Sequence, residues 1–452
     1  MITSLRLVNF KNFADETLHL GPFTLIVGAN ASGKSNIRDA FRFILGLSLN
    51  YTLAEILGGK YGAEWQPIRG APNEIIRFGQ DDFFLEVEMT PARLLMPSVK
   101  SLRYSVRIQR EDTCGGRFRV AAESLAADPA TADSIVSGTL YTSSLPPDTS
   151  AGPQERDLNL RLFFPTKNRP DESIDVASDR SGLSQLPTQL YDHLLESKER
   201  IDSADWTKEI PGKTKAGWGW LEVSLKLFGI RLFEMSPERM RQPSVSGATR
   251  LGDTGDNLAT LLEAICSNPQ RKNVLLSWLH ELTPMDVSDL TFPRDPSGRI
   301  HLQIQEANGR SVSAYSASDG TLRFLGMLAA LLNEEFEGLY FFEEIDNGIH
   351  PARLHLLLDL IERQTAKGKI QVIATTHSPD VLNLISDTTF ENTSVVYRDE
   401  DSADAVIRRV AELPNARELR KSQGLGRLHA GGWMENILSF AEADREDQKD
   451  RE

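Results

Sequence analysis

The chain has 452 residues, which at about 150 residues per domain predicts two or three structural units. Its 50 Lys and Arg and 64 Asp and Glu give a net charge of −14, which argues against a protein that coats nucleic acid passively but allows a local basic face. Hydrophobic residues make up 40%, enough to bury a core, so wholesale disorder is excluded.

The first residues, up to Phe13, alternate polar and apolar side chains and lack the long apolar stretch of a signal peptide. No apolar run approaches ~18 residues, so no transmembrane helix is expected. The two cysteines, Cys114 and Cys266, offer neither a disulfide framework nor a zinc cluster. These features favour a cytoplasmic protein with no membrane partner.

Two strands and a helix are predicted at the start of the chain. Ile2 to Leu7 has the pattern of a strand, and the nearly all-apolar run Phe23 to Val27 is typical of a parallel strand covered on both faces. A Gly-containing segment follows, and then a helical pattern with its apolar residues on one side. From about residue 75 to 123 the period changes to two, which predicts antiparallel strands.

Residues 124–185 differ in composition, since Ala, Ser, Asp, Thr and Pro dominate, and they predict an irregular, loop-like segment. We therefore assign residues 124–215 to an inserted irregular and helical region. Residues 1–123 and 216–420 are assigned to one discontinuous head. Residues 421–452 are predicted to form a C-terminal docking segment with a charged tail.

The second half of the chain alternates strands with helices. Gly338 to Phe342 and Ile370 to Thr375 are apolar strands that flank a predicted helix from Pro351 to Arg363. This alternation indicates a parallel sheet with crossover helices. The predicted fold class is therefore α/β, with a parallel sheet, an antiparallel β subdomain and the insertion.

The segment after the second strand matches the phosphate-binding pattern G-x-x-x-x-G-K-[ST] without a mismatch, between an apolar strand and an amphipathic helix. Glycines let such a loop (P-loop) wrap a phosphate closely, and the following helix contributes its positive end. Lys34 is expected to reach the β- and γ-phosphates of ATP, and Ser35 to hold Mg²⁺. A chance Gly-rich turn is the alternative, which the matching context disfavours. The loop residues are Gly28, Ala29, Asn30, Ala31, Ser32, Gly33, Lys34 and Ser35.

Two adjacent carboxylates, Glu343 and Glu344, follow the apolar strand that begins at Gly338. Parallel α/β sheets bind ligands at the carboxyl ends of their strands. We expect Glu343 to bind the Mg²⁺ shell and Glu344 to polarise the attacking water as a general base. An exposed acidic strand end is the alternative interpretation.

His377 follows the next predicted strand, in a position to contact the γ-phosphate or the water. A lone histidine is more often a structural residue, but placement one strand after the Glu pair favours a catalytic role. The segment Ser318 to Thr321 opens the helix that precedes the Glu strand. It is either an anion site made of hydroxyl, backbone N–H and helix dipole, or an ordinary helix N-cap.

These four segments, in this order, resemble the ABC-type ATPase heads of the SMC and RecF-like class. They are most similar to the bacterial ATPases related to the overcoming-lysogenisation-defect (OLD) family, many of which serve in anti-phage defence. The resemblance covers residues 1 to about 90 and 229 to about 440. It implies an ATPase that uses ATP and Mg²⁺, converts ATP and water to ADP and phosphate, and works as a homodimer or higher homo-oligomer with ATP sandwiched between heads.

The resemblance also assigns roles to single residues. Ser318, Asp319, Gly320 and Thr321 stand where the class has its signature motif, which acts in trans. Asp319 replaces a more usual Gly there, and Glu343 replaces an Asp common in other ABC proteins. The remaining assigned residues are Asn347, Gly348 and His350 in the D-loop and, beside the nucleotide, Lys11, Asn12 and Asn36. No Gln directly follows the predicted strand that ends at Met235, and Gln242 is the nearest, so the Q-loop residue stays open.

Three functions are weighed. The leading hypothesis is a switch that controls a separately encoded effector, a nuclease or toxin, in phage defence. Only 73 residues follow Pro379, so a TOPRIM nuclease domain within this chain is not expected. The second is a RecF-like clamp for DNA repair or recombination, and the third is a scaffold that binds ATP without turning it over. The clamp predicts salt-sensitive DNA binding through a basic surface. Candidate basic residues are Arg239, Arg241, Arg408, Arg409, Arg417, Arg420, Lys421 and Arg427.

Overall fold

The computed structural model describes residues 1–59, 65–92, 99–111, 117–130, 138–144, 158–162, 172–185, 222–282, 287–333, 337–398 and 404–431. Cys114 and the predicted docking segment beyond Gly431 lie outside these ranges. The chain divides into two compact units. The first comprises Met1–Leu20, Ser35–Ile230 and Arg398–Ile407, and the second Gly21–Lys34, Arg231–Tyr397 and Arg408–Glu452. Within the described ranges, no helix is long and apolar enough to cross a membrane.

The secondary-structure elements are numbered in chain order. The strands are β1 (Ile2–Phe10), β2 (Phe13–His19), β3 (Phe23–Val27), β4 (Asp82–Met89), β5 (Val99–Arg110), β6 (Phe118–Pro129), β7 (Gly138–Ser144), β8 (Leu158–Leu162), β9 (Glu172–Val176), β10 (Ile230–Phe233), β11 (Val287–Thr291), β12 (Gln303–Glu306), β13 (Ser311–Ser313), β14 (Gly338–Phe342), β15 (Ile370–Thr376), β16 (Thr393–Arg398) and β17 (Ala405–Arg409). The α-helices are α1 (Lys34–Ser48), α2 (Leu53–Gly58), α3 (Pro237–Met240), α4 (Leu258–Cys266), α5 (Pro269–Leu282), α6 (Asp319–Leu331), α7 (Leu354–Ala366), α8 (Pro379–Leu384), α9 (Asp387–Glu391), α10 (Ala416–Gln423) and α11 (Leu425–Ala430).

The first unit contains an antiparallel sheet of eight strands in the order β2-β1-β4-β5-β6-β7-β8-β9. Along β4, buried and half-buried side chains alternate from Asp82 to Met89, as expected for a strand with one covered face. The antiparallel strands predicted from the period-two pattern are thus confirmed. Phe83 of β4 contacts the rings of Phe10 and Phe43 edge-on, which places an aromatic cluster in the core of this unit.

The prediction of an irregular segment at residues 124–185 is wrong for its described part. β6 runs on to Pro129, so the predicted boundary at residue 124 falls inside a strand, and β7, β8 and β9 extend the same sheet. β7 pairs with β8 through its backbone, for example Tyr141 opposite Leu162, and the buried Tyr141 hydroxyl donates to Glu123 Oε1 at 3.3 Å. Ser, Thr, Ala and Asp are tolerated there because a ladder does not require apolar side chains on both faces.

Glu123 of β6 anchors the chain where it returns to this sheet. Its carboxylate is buried and accepts hydrogen bonds from the hydroxyls of Tyr104 (2.7 Å) and Ser181 (2.5 Å). The backbone N–H of Gly182 donates to Oε2 at 2.6 Å and that of Leu183 donates to Oε1 at 3.1 Å. Each carboxylate oxygen of Glu123 accepts one backbone N–H of the turn at Gly182 and Leu183. The side chain at position 123 therefore needs a hydrogen-bond acceptor at both of its terminal atoms.

We expect Glu123→Gln to lower the free energy of unfolding by about 1–3 kcal/mol. The amide presents its NH₂ either to the Gly182 N–H, which then lacks an acceptor, or to the hydroxyl and N–H donors that meet at the Oε1 position. Urea unfolding of the full chain measures the change. Ser124→Ala is the control, since it removes only the half-buried hydroxyl pair with Ser105 on the same strands. Equal midpoints for Glu123→Gln and wild type would contradict this role.

The second unit contains a parallel sheet whose strands in this unit run in the order β10-β14-β15-β3-β16. β14 pairs in parallel with β15, β15 with β3, and β3 with β16, and every residue of β3 and β15 is buried. A separate sheet has the order β11-β12-β13. The predicted α/β class, with a parallel sheet that carries the P-loop and an antiparallel β subdomain, is confirmed.

Candidate functional site

The P-loop follows β3 and has the backbone of a tight turn. Three of its residues have positive φ: 152° at Gly28, 64° at Ala31 and 119° at Gly33. A Cβ at Gly28 would lie 2.1 Å from the backbone oxygen of Val396 in β16, so the close approach of two strands requires glycine there. The predicted strand, loop and helix are therefore all present.

Two side chains of the loop have contacts that bear on the predicted phosphate site. The Lys34 ammonium donates to the backbone oxygens of Gly28 (2.6 Å) and Ala29 (2.7 Å), so it lies over the loop. The Ser32 hydroxyl is buried and has no hydrogen-bond partner among the described residues. A buried hydroxyl without a partner is costly, and a phosphate oxygen would relieve it. The loop thus offers a cation and an unsatisfied donor to the same anion.

The carboxyl ends of three parallel strands line up at one edge of the sheet. Phe342 of β14 is opposite Ala374 of β15, and Thr376 of β15 is opposite Val27 of β3. The P-loop, the Glu pair and the histidine segment therefore leave the sheet at the same edge, where parallel α/β sheets bind ligands. The P-loop is about 300 residues from the other two segments in the chain, and the register of the strands brings all three to this edge.

Glu344 is held in an unusual backbone conformation at this edge. Its φ is 49°, in the left-handed region that a glutamate adopts at a cost of about 1–3 kcal/mol. The Thr375 hydroxyl accepts its N–H at 3.0 Å, and Asn347 donates from Nδ2 to Glu344 Oε2 at 3.2 Å. Glu344 is exposed and Glu343 is half-buried. The strained backbone thus presents one carboxylate to solvent beside a supporting amide.

The two predicted site histidines differ in their surroundings. His377 directly follows β15, is exposed, and makes no hydrogen bond in the part of the chain that the structure describes. His350 accepts the N–H of Ala352 on Nδ1 at 3.2 Å, which caps the 3-10 helix Pro351–Arg353. His377 is therefore available to a ligand, whereas His350 has a structural role in this arrangement.

Lys11 and Asn12 contact the start of α1 within the first unit. Lys11 forms an ion pair with the buried Asp39 and donates to the backbone oxygen of Arg69 at 2.9 Å. Asn36 donates from Nδ2 to Asn12 Oδ1 at 2.7 Å. These contacts fix the turn between β1 and β2 against the helix turn that contains Ser35. Their role beside a nucleotide stays a prediction.

The signature segment begins α6. Ser318 is the N-cap, and its hydroxyl accepts the N–H of Thr321 at 3.1 Å, while its role as an anion site stays a prediction. A Cβ at Gly320 would lie 2.1 Å from the backbone oxygen of Gly348, which has a φ of 82°. The backbones of the predicted signature and D-loop are thus in direct contact, and both positions require glycine.

The candidate magnesium residues are Ser35 and Glu343. No group of three or more His, Cys, Asp or Glu side chains with the geometry of a metal site occurs among the residues that the structure describes. Mg²⁺ is commonly held by one or two carboxylates together with substrate phosphates and water. A single carboxylate after β14 fits an ion that arrives with a nucleotide.

Sequence reasoning missed the residues that support this site. The Thr375 hydroxyl accepts the Glu344 N–H, and Asn347 donates to the Glu344 carboxylate. No local sequence pattern predicts these two contacts. Sequence reasoning named Arg241 only as a candidate DNA-binding residue and missed its pairing with Asp319, in which Nη2 donates to Oδ1 at 2.6 Å across 78 positions of sequence. The one signal in the sequence is that Asp319, an acidic residue, stands where the class usually has glycine, which suggests that a basic residue compensates its charge.

The candidate DNA-binding arginines are partly engaged by acids. Arg417 pairs with Glu391 at 2.7 Å and Arg420 with Asp387 at 2.6 Å. Arg241 pairs with Asp319, as described above. Paired arginines have less charge to offer to phosphates, which weakens the predicted basic surface.

Two family models match the chain. Residues 1–92 match the model described as an AAA ATPase domain, and residues 280–383 match the model described as an AAA domain, putative AbiEii toxin, type IV TA system. The first match contains the P-loop, and the second contains the signature segment, the Glu pair and His377. Neither match covers half of the chain, but together they contain the segments whose motifs predict the site.

Similar proteins include nucleotide phosphatases and chromosome proteins. The chain is 19% identical over 394 residues to an ATP/GTP phosphatase of Helicobacter pylori, covering 85% of this chain and 87% of that protein. It is 32% identical over 119 residues to the chromosome partition protein Smc of Clostridium kluyveri, covering 24% of this chain and 10% of that protein.

Solved structures with some likeness are Smc head domains. One is an Smc head bound to the C-terminal winged-helix domain of ScpA, with a TM-score of 0.46, 15% identity and coverage of 90% of this chain and 96% of the other. Another is an Smc head with an extended coiled coil, bound to the C-terminal domain of ScpA derived from Pyrococcus furiosus, with a TM-score of 0.42, 16% identity and coverage of 93% and 99%. Likeness at these TM-scores carries no weight for function.

Proposed function

We propose that the protein is an ABC-type ATPase, related to the OLD family, that acts as a switch for a separately encoded nuclease or toxin in bacterial anti-phage defence. The observation that carries the ATPase proposal is the shared strand edge from which the P-loop, the Glu pair and His377 emerge. The ATP/GTP phosphatase match over most of both chains supports nucleotide hydrolysis. The description of the family model at residues 280–383 as a putative toxin supports the defence role.

The residues at the edge have distinct chemical roles in this proposal. Lys34 exchanges its backbone partners for the β- and γ-phosphates of ATP, and the Ser32 hydroxyl donates to a phosphate oxygen. Ser35 and Glu343 would hold Mg²⁺, which would supply positive charge next to the phosphates. Glu344 takes a proton from the attacking water, whose oxygen bonds to the γ-phosphorus as the bond to ADP breaks.

The proposed working unit is a head-to-tail homodimer with two shared sites. One chain carries both a P-loop and a signature segment, and in an ABC-type sandwich the signature of one subunit covers the ATP held by the other. Ser318, Gly320 and the N-terminus of α6 then face the γ-phosphate of the partner subunit's ATP. ATP holds the two heads together, and its hydrolysis loosens them.

A mixing experiment tests this shared site. Lys34→Ala and Ser318→Arg subunits are each expected to be inactive as homodimers, the first for lack of the phosphate cation and the second because Arg crowds the interface. A mixed dimer has one site with both changes and one site with neither. Mixing equal amounts is therefore expected to restore about a quarter of the wild-type ATPase rate if subunits pair at random.

Ser386→Arg is the matched control for Ser318→Arg. Ser386 caps α9 with the same hydroxyl bond to a backbone N–H, that of Thr389 at 3.1 Å, and lies outside the signature segment. It is expected to retain ATPase activity, which separates loss of a cap from crowding of the interface. If both inactive variants are shown to pair and mixing restores nothing, the shared site is wrong.

The effector proposal and the clamp alternative make different demands. The clamp needs free basic residues for DNA, but Arg241, Arg417 and Arg420 are each paired with an acid. A nuclease or toxin gene next to this one would favour the switch, and a cluster of replication or repair genes would favour the clamp. Salt-sensitive DNA binding by the purified protein would also favour the clamp.

A further inference from the structure

The signature segment carries a negative charge at an exposed position. Asp319 is the first residue of α6, and its side chain is 68% exposed. A carboxylate suits the N-terminus of a helix when no other anion is near. In the proposed dimer, however, this segment faces the phosphates of ATP, and two like charges brought together repel each other. A functional signature with Asp319 therefore needs a compensating cation.

Arg241 supplies that cation and also holds the segment. Its Nη2 donates to Asp319 Oδ1 at 2.6 Å and to the backbone oxygen of Ala317 at 2.9 Å. These two acceptors lie on either side of Ser318. The Arg241 side chain is only 22% exposed. Its Nη2 thus bridges the two residues that flank Ser318.

The position of Arg241 is fixed by packing behind α6. Gly326 of α6 lies so close to Met235 and Met240 that a Cβ there would come within 2.6 Å of Met240 Cε. Met240 ends α3, and Arg241 follows it directly. Because Gly326 has no side chain, α3 can pack against α6. This packing places Arg241 within reach of the first residue of α6.

We propose that Arg241 is a positioning residue of the signature segment, which neutralises Asp319 and fixes Ser318 so that the segment can approach the phosphates of ATP bound to a second copy of this chain. This role rests on the proposed function. An exposed ion pair contributes little to stability, typically below about 1 kcal/mol. The effect of Arg241 therefore falls on turnover, through the charge of Asp319.

The test is a charge-rescue experiment on the full-length chain. Arg241→Ala is expected to lower kcat about tenfold or more. The affinity for a fluorescent ATP analogue is expected to change little, because the P-loop of the same subunit binds the nucleotide. Adding Asp319→Asn to Arg241→Ala is expected to raise kcat again by about fivefold, because Asn keeps the size of Asp without its charge. Asp319→Asn alone supplies the fourth corner of the cycle.

A matched arginine and a mixing arm complete the design. Arg294 lines the same cavity of about 260 Å³ as Arg241 but pairs with Glu263 at 3.0 Å, and Arg294→Ala is expected to keep the wild-type kcat. Arg241→Ala mixed with Lys34→Ala is expected to regain activity, because the defect lies on the signature side of the shared site.

The outcomes separate this role from the proposed function. Wild-type kcat in Arg241→Ala would overturn the role, and so would failure of Asp319→Asn to rescue it, because Arg241 would then act otherwise than through the charge of Asp319. A wild-type chain that neither binds nor hydrolyses ATP would instead overturn the proposed ATPase.

Discussion

Glu344→Gln is expected to slow ATP hydrolysis by about 10²–10⁴-fold while ATP stays bound, because the amide cannot accept the proton of the attacking water. The change is small in structure. The Thr375 hydroxyl still accepts the backbone N–H, and Asn347 still finds an oxygen on the Gln side chain. Single-turnover phosphate release and retention of nucleotide on the protein measure the two halves of this expectation.

The control for this change is Glu418→Gln. Glu418 is an exposed glutamate in the first turn of α10, a helix that does not follow β3, β14 or β15. Its replacement is expected to leave the rate as in wild type. If Glu344→Gln releases phosphate at the wild-type rate, Glu344 is not the base and its strained backbone needs another explanation.

Lys34→Ala is expected to weaken ATP binding by at least about 100-fold, since charge-assisted hydrogen bonds to phosphate contribute about 1.5–3 kcal/mol each. Folding should be unaffected. The backbone oxygen of Ala29, one of the two acceptors of Lys34, belongs to an exposed residue that water can serve. Titration with a fluorescent ATP analogue measures the dissociation constant, and thermal unfolding without nucleotide checks the fold.

Lys367→Ala is the corresponding control. Lys367 is an exposed lysine just after α7, so its loss removes the same charge from the protein without touching the P-loop. It is expected to bind ATP as wild type does. A folded Lys34→Ala variant with wild-type affinity would refute the assignment of the P-loop.

The segments of the candidate site were more predictable than the antiparallel sheet of the first unit, for a physical reason. A P-loop is a local sequence motif, because its strand, glycines, lysine and helix start lie within about a dozen consecutive residues. The apolar runs that end at Phe342 and Thr375 likewise predicted parallel strands with polar residues at their carboxyl ends, and the register of β3, β14 and β15 agrees.

The strands of residues 124–185 were missed because composition was given more weight than period. β6 alternates buried and less buried residues from Phe118 to Asp128, yet its Ala and Ser content resembles that of a loop. Its buried glutamate is satisfied by a turn about 60 residues away, at Gly182 and Leu183. Contacts between residues about 60 positions apart determine whether such a segment forms a strand, and a single sequence does not reveal those contacts.

The contact between Gly320 and Gly348 has a consequence for communication between the two proposed sites. Asn347 donates to the Glu344 carboxylate of one site, and the next residue, Gly348, touches Gly320. In the proposed dimer, Gly320 belongs to the opposite site, where it covers the partner's ATP. With no side chain between the two backbones to absorb movement, displacement of the D-loop on hydrolysis in one site is transmitted directly to the lid of the other. The two nucleotides are then consumed in a coupled order, with cooperativity built into one glycine–glycine contact.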